Sequence, residues 1–189
     1  MKGDDKRLKG TLRDLKQEWE DGPSKMLVET EYPAAVFQRR GNPIEREPDF
    51  LYCHNDKILG VEATTVGYSD EFLRREFKVL ACVRQKVIFR DVPRSYIWKR
   101  PFDEQLLESL QGALDKKLRK SYRGIDELMI CIYVRATTTL RDELGDLICQ
   151  LKIPRPNFPG TKVFALCRTH DSPSLGLSKY MLPQYSAFD

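Results

Sequence analysis

Apolar residues recur at helical spacing near the start of the chain. Leu8, Leu12, Leu15 and Trp19 lie three or four apart and predict a helix over 4–20 with one buried face. Gly22-Pro23 predicts its stop. The short apolar runs 26–28 and 34–37, on either side of Pro33, predict strands or extended segments, and residues 39–43 predict a loop. Segments 49–53 and 57–64 flank Asn55-Asp56, two residue types that tolerate left-handed backbone angles, and so predict a β-hairpin. Pro48 is tolerated there because it stands at a strand start.

Helical spacing returns over 70–86, where Phe72, Leu73, Phe77, Leu80, Ala81 and Val83 are apolar. Residues 87–89 continue that helix or open a strand. The clearest helix is 102–122, striped by Leu106, Leu107, Leu110, Ala113, Leu114 and Leu118, with Asp103 as the expected cap after Pro101. Gly124 follows its end. Segment 128–134 reads as a strand buried on both faces. A short helix over 140–151, a proline-marked loop and a core strand over 163–167 follow. The tail from 171 reads as irregular, with Tyr180, Met181, Leu182, Tyr185 and Phe188 packing on the body. This order predicts an α/β or α+β layer fold, a mixed β-sheet flanked by helices.

The composition agrees. A chain of 189 residues fits one domain, 1–189, with 171–189 as a tail packed on it. With 41% hydrophobic and 32% charged residues it is globular, which excludes collagen-like, mucin-like and disordered classes. The net charge of +4 permits a nucleic-acid partner without demanding one. The five cysteines, Cys53, Cys82, Cys131, Cys149 and Cys167, are odd in number and form no CxxC, which points to reduced thiols and a cytoplasmic location. The charged N-terminus leads into no apolar segment of a signal peptide. No apolar run approaches the roughly 18 residues of a membrane span, so no membrane partner is expected.

The chemistry concentrates in the hairpin. Pairing symmetrically about Asn55-Asp56 opposes His54 to Lys57 and Asp49 to Glu62, and puts Glu47 opposite Thr64 beyond Pro48. Directly opposed residues share a face with Cβ atoms about 4.5–5.5 Å apart, and opposed like charges destabilise the pair. Mg²⁺ would offset that cost, since it takes carboxylates together with substrate oxygens and water. Thr64 lies on the Glu62 face, while Val61 and Ala63 point to the core. Gly60 leaves room for a substrate beside the site. The competing reading is a solvent-facing strand carrying a polar stripe.

Pro48-Asp49, twelve intervening residues, then Glu62-Ala63-Thr64 resembles the PD-(D/E)xK restriction-endonuclease-like superfamily, in the variant where Thr replaces the usual Lys. The phrases EPDFLY…ILGVEATT and LDKKLRKSYRGIDELMICIYV resemble bacterial or mobile-element members, and the likeness extends over residues 5–170. The resemblance implies an α/β restriction-endonuclease-like fold. It implies a Mg²⁺- or Mn²⁺-dependent nuclease that hydrolyses the phosphodiester bonds of nucleic acid, DNA ahead of RNA, leaving a 5′-phosphate and a 3′-hydroxyl. It further implies Asp49, Glu62 and the carbonyl of Ala63 as metal ligands, Glu18 as an accessory acid, and a homodimer for cutting two strands. A solvated helix glutamate is the competing reading of Glu18.

A threonine hydroxyl at 64 cannot supply the cation of the family's lysine, which stabilises developing negative charge. Lys117 is the candidate substitute in the catalytic set Asp49, Glu62, Thr64 and Lys117. It borders the buried stripe three residues after Leu114, and Lys120 lies one turn further on. A basic solvated helix end is the competing reading of both. Arg84, Lys86, Arg90, Arg94, Lys99 and Arg100, interleaved with Tyr96 and Trp98 and broken by the single acid Asp91, form with Lys120 a candidate nucleic-acid-binding set. Such a run is equally read as a solvated face.

Cys167-Arg-Thr-His170 lacks the second pair that a zinc site needs, and the two histidines give a Cys-His nucleophile little support. No P-loop, GxGxxG or GxSxG is present. Two further readings stay open: a non-catalytic nucleic-acid-binding or protein-assembly module that keeps the fold, and an unrelated α/β protein whose two acids are incidental.

Overall fold

A computed structural model describes residues 2–67, 70–84, 101–135, 141–168 and 177–182. Its elements are α1 (Lys2–Glu31), β1 (Val36–Arg40), a 3₁₀ turn (Pro43–Glu45), β2 (Phe50–His54), β3 (Lys57–Val66), α2 (Asp70–Arg84), α3 (Phe102–Leu118), β4 (Glu127–Val134), α4 (Arg141–Cys149), β5 (Lys162–Arg168) and β6 (Leu177–Met181). The six strands form one sheet in the order β1-β2-β3-β4-β5-β6. The β3–β4 and β4–β5 pairs are parallel, and the rest are antiparallel. The molecule is an α/β fold with a mixed sheet between helices. Among the described residues no helix is long and apolar enough to cross a membrane.

Alternation along the strands sorts the core into two layers. Leu59, Val61, Ala63, Met129, Cys131, Phe164 and Leu166 face α1 and pack with its Leu27 and Val28. Leu128, Ile130, Ile132, Val134, Val163 and Ala165 face the other way, onto Leu106, Leu110, Leu114 and Leu118 of α3 and Leu144 of α4. Strand β4 is thus buried on both sides, as expected. The hairpin also has its expected register, from Phe50 opposite Val61 to His54 opposite Lys57. Asn55 and Asp56 turn it with φ of 50° and 62°.

Four local expectations are corrected. Gly22-Pro23 does not end α1, which runs on to Glu31 with Pro23 inside it. Segment 26–28 is therefore helical, because burying Leu27 and Val28 on the sheet outweighs the lost proline donor. The Ser24 hydroxyl also donates to the Glu20 carbonyl, at 2.6 Å, within the turn that carries the proline. Arg39 and Arg40 belong to β1 rather than to a loop. Helix α3 stops at Leu118, and Pro101, not Asp103, is its N-cap, with no side-chain cap bond. The tail is not wholly irregular: Leu177–Met181 adds β6 antiparallel to β5, and the following Leu182 is buried with its N–H on the Val163 carbonyl. Tyr185 and Phe188 lie outside the described residues.

Candidate functional site

Asp49 stands one residue before β2, where the hairpin ladder gives out after Phe50 and Val61. Its carboxylate replaces the missing strand partner: the Ala63 N–H donates to Asp49 Oδ2 at 2.8 Å. The loop before β2 holds it there. The Gly41 N–H donates to the Asp49 carbonyl, and a Cβ at Gly41 would fall 1.7 Å from the Pro48 oxygen, so only glycine fits. Arg39 grips both oxygens of Glu47 at 2.7 and 2.6 Å, and the Asn42 N–H donates to Glu47 at 2.7 Å. That bonding holds the Glu47 carboxyl down to a pKa of about 2.

Glu62 is the strongest anomaly in the sheet. It is only 1% exposed, in mid-strand, on the side that faces α3. A buried carboxylate needs partners, and α3 and the segment after it supply them. Lys117 Nζ lies 2.6 Å from Glu62 Oε1, 2.8 Å from the Ala63 carbonyl oxygen and 4.0 Å from Asp49 Oδ2. Lys120 Nζ lies 2.6 Å from the same Glu62 oxygen. Lys117 is mostly enclosed, at 13% side-chain exposure, while Lys120 is half-exposed at 46%. The like-charge cost foreseen for the Asp49–Glu62 pair is therefore offset by the chain's own ammonium groups. The Asp49 carboxyl is still pushed up, first by burial and then by the charge of Glu62, with Lys117 opposing.

Tyr122 completes the cluster and was not legible as a site residue. It is buried, and its hydroxyl donates to the Lys117 carbonyl at 3.4 Å. Burial, then the charges of Glu62 and Asp49, keep the phenol protonated well above its ordinary range. Only its position just past the basic end of α3, where side chains 117 and 120 turn inward, could have drawn attention to it.

Asp49, Glu62, the Ala63 carbonyl, Lys117 and Lys120 are thus brought together. Thr64 follows Glu62 on the same strand face, half-buried, and is not bonded to that carboxylate. Gly60 does not open the site to a substrate: its Cβ position is crowded by Pro48 Cγ at 2.5 Å and Ile125 at 3.0 Å. Glu18 is not an accessory acid of this cluster. It rides on α1, across the sheet from α3, and its carboxylate is held by Arg84 at 3.0 and 3.1 Å. Arg84 is accordingly committed to an exposed ion pair. Lys86, Arg90, Arg94, Lys99 and Arg100, with Tyr96 and Trp98, lie outside the described residues, as does His170. All five cysteines are free, and burial pushes the Cys131 thiol up to about 12.

The donor set is two carboxylates and one carbonyl. Among the described residues no group of three or more His, Cys, Asp or Glu side chains converges, so any ion here relies on the Ala63 oxygen. Hard oxygens of this kind suit Mg²⁺ or Mn²⁺ rather than Zn²⁺. All three oxygens surround one ammonium, that of Lys117.

No family model matches the chain, and no solved structure matches it. A stretch of 64 residues, 32% of this chain, is 38% identical to the COPII coat assembly protein SEC16 of Meyerozyma guilliermondii, and it spans 4% of that protein's length.

Proposed function

We propose that the chain is a metal-dependent nuclease of restriction-endonuclease-like fold, hydrolysing phosphodiester bonds of nucleic acid, with DNA as the substrate. One observation carries this reading. Glu62, the Ala63 carbonyl and Asp49 converge on a cationic nitrogen, beside a hairpin end, and among the described residues Glu62 is the only charged one that is buried. Asp49, Glu62 and the Ala63 carbonyl would hold Mg²⁺ or Mn²⁺. Bound there, the ion would supply phosphate neutralisation and an activated water.

The chain's own groups have distinct tasks. The Ala63 N–H orients Asp49. Tyr122, a neutral phenol, donates to the Lys117 carbonyl and braces the end of α3. Lys120 is paired with Glu62 yet half-exposed, so the solvent side of its ammonium can complement charge spreading over a phosphate. Thr64 contributes no charge, and Lys120 takes the place of the motif lysine.

A second reading is a non-catalytic nucleic-acid-binding or protein-assembly module. It is favoured by the two ammonium groups that already neutralise Glu62, and by the stretch shared with a protein named for coat assembly. The two readings part in one assay. Purified protein is incubated with single- and double-stranded DNA and with RNA, in Mg²⁺ or Mn²⁺, beside Asp49→Ala and Glu62→Ala. Cleavage that disappears in both variants supports the nuclease. Cleavage that persists in both discards this site, and salt-sensitive binding without cleavage supports the module.

A further inference from the structure

We infer that Lys117 is a built-in occupant of the cation pocket, and that a divalent ion enters only by displacing its ammonium. The inference rests on the nuclease reading and adds a regulatory element to it. Lys117 Nζ touches Glu62 Oε1 at 2.6 Å and the Ala63 oxygen at 2.8 Å, and comes within 4.0 Å of Asp49 Oδ2. These are the oxygens the ion would need. Lys120 shares only one of them, Glu62 Oε1.

Two facts make the exchange physical. The Glu62 carboxylate is buried, so without an ion it must be neutralised from within, or the fold carries an unpaired buried charge. An ammonium and a divalent ion cannot both lie within bonding distance of the same oxygens, since their repulsion in a half-enclosed site far exceeds its value in water. The unbranched stem of Lys117 springs from the last turn of α3, at the margin of the buried leucine stripe, so the ammonium can swing away while the helix stays packed. Lys120, half-exposed, then remains the nearest cation to the Glu62 carboxylate.

The test follows Mn²⁺ binding, read from the electron paramagnetic signal of free Mn²⁺, in the wild-type chain, Lys117→Met and Lys120→Met. Lys117→Met should bind Mn²⁺ about tenfold more tightly, and Lys120→Met should gain clearly less, because its ammonium blocks one oxygen rather than three. Equal or weaker binding by folded Lys117→Met overturns the inference. A second measurement needs no variant. Acetylation of wild-type Lys117 by a small activated ester, read by mass spectrometry, should rise several-fold when Mn²⁺ is added, because the amine is expelled from the pocket; unchanged labelling at saturating Mn²⁺ overturns the inference. If Mn²⁺ binds neither wild type nor Lys117→Met, the metal-dependent reading fails as well. If it binds both equally, only the role of Lys117 is lost.

Discussion

Lys117 crosses from the end of α3 to place its ammonium 2.6 Å from a Glu62 oxygen, joining two residues 55 apart in sequence. Lys120 reaches the same oxygen from just beyond the helix. The arrangement fixes the charge balance of the site, because Glu62 has almost no contact with solvent. Removing both lysines leaves a buried carboxylate unpaired, and such losses cost roughly 3–5 kcal/mol. The double variant Lys117→Ala, Lys120→Ala should lose that much in urea unfolding, and each single variant clearly less. Adding Glu62→Gln should restore most of the loss, since a neutral amide no longer needs the cations. A double variant as stable as wild type would mean that Glu62 finds another partner.

The two glycines that touch Pro48 predict different defects. A Cβ at Gly60 meets the Pro48 ring at 2.5 Å and the Ile125 side chain at 3.0 Å, side-chain rather than backbone atoms. Gly60→Ala should therefore cost about 1–3 kcal/mol of stability, as overpacking does, and keep its Mn²⁺ affinity. A Cβ at Gly41 meets the Pro48 carbonyl oxygen at 1.7 Å, and that clash is relieved only by moving the backbone that carries Asp49. Gly41→Ala should lose Mn²⁺ affinity and cleavage together. Titration of both variants with Mn²⁺ beside urea unfolding separates the two cases, and normal Mn²⁺ binding by Gly41→Ala would discard the positioning role.

The hairpin was legible because local chemistry decided it: Asn55 and Asp56 accept positive φ, and alternation fixed which residues face α3. The inward turn of Lys117 was legible too, since its spacing from Leu114 placed it at the edge of the stripe. Pro23 misled because its helix-breaking cost is local, whereas the burial of Leu27 and Val28 that outweighs it is tertiary. Glu18 misled because a glutamate on α1 says nothing about the arginine that meets it 66 residues later. Tyr122 stayed hidden because a tyrosine in a basic segment reads as surface until the carboxylates behind it are known. Strand β6 was missed for a related reason: its pairing comes from β5, not from its own pattern.

Acid should loosen the loop that holds Asp49. The Glu47 carboxyl has its pKa lowered from the ordinary 4.5 to about 2 by the Arg39 hydrogen bonds and the Asn42 N–H. A depressed carboxylate contributes stability that is complete above its unfolded value and is lost as pH falls through its folded value. The contribution should therefore be intact above about 4.5 and decline from there towards about 2. Glu47→Gln should be less stable than wild type at neutral pH, with the gap closing across that window. Unfolding midpoints taken at stepped pH check it, and a gap that stays constant down to the acid limit would show that Arg39 is not the source.

Glu18 tests whether α1 has any part in the chemistry. Its carboxylate is paired with Arg84 at 3.0 and 3.1 Å, both side chains are about half exposed, and α1 lies across the sheet from Lys117. Exposed ion pairs contribute little, because solvent screens them and ordering two long side chains opposes them. Glu18→Ala and Arg84→Ala should each change stability only slightly, and the small difference should shrink further in high salt. Glu18→Ala should also leave Mn²⁺ affinity and cleavage at wild-type levels, whereas Asp49→Ala and Glu62→Ala should abolish cleavage. A drop in Mn²⁺ affinity in Glu18→Ala with unaltered stability would place that carboxylate back at the metal, and would require the Arg84 pair to open when the ion binds.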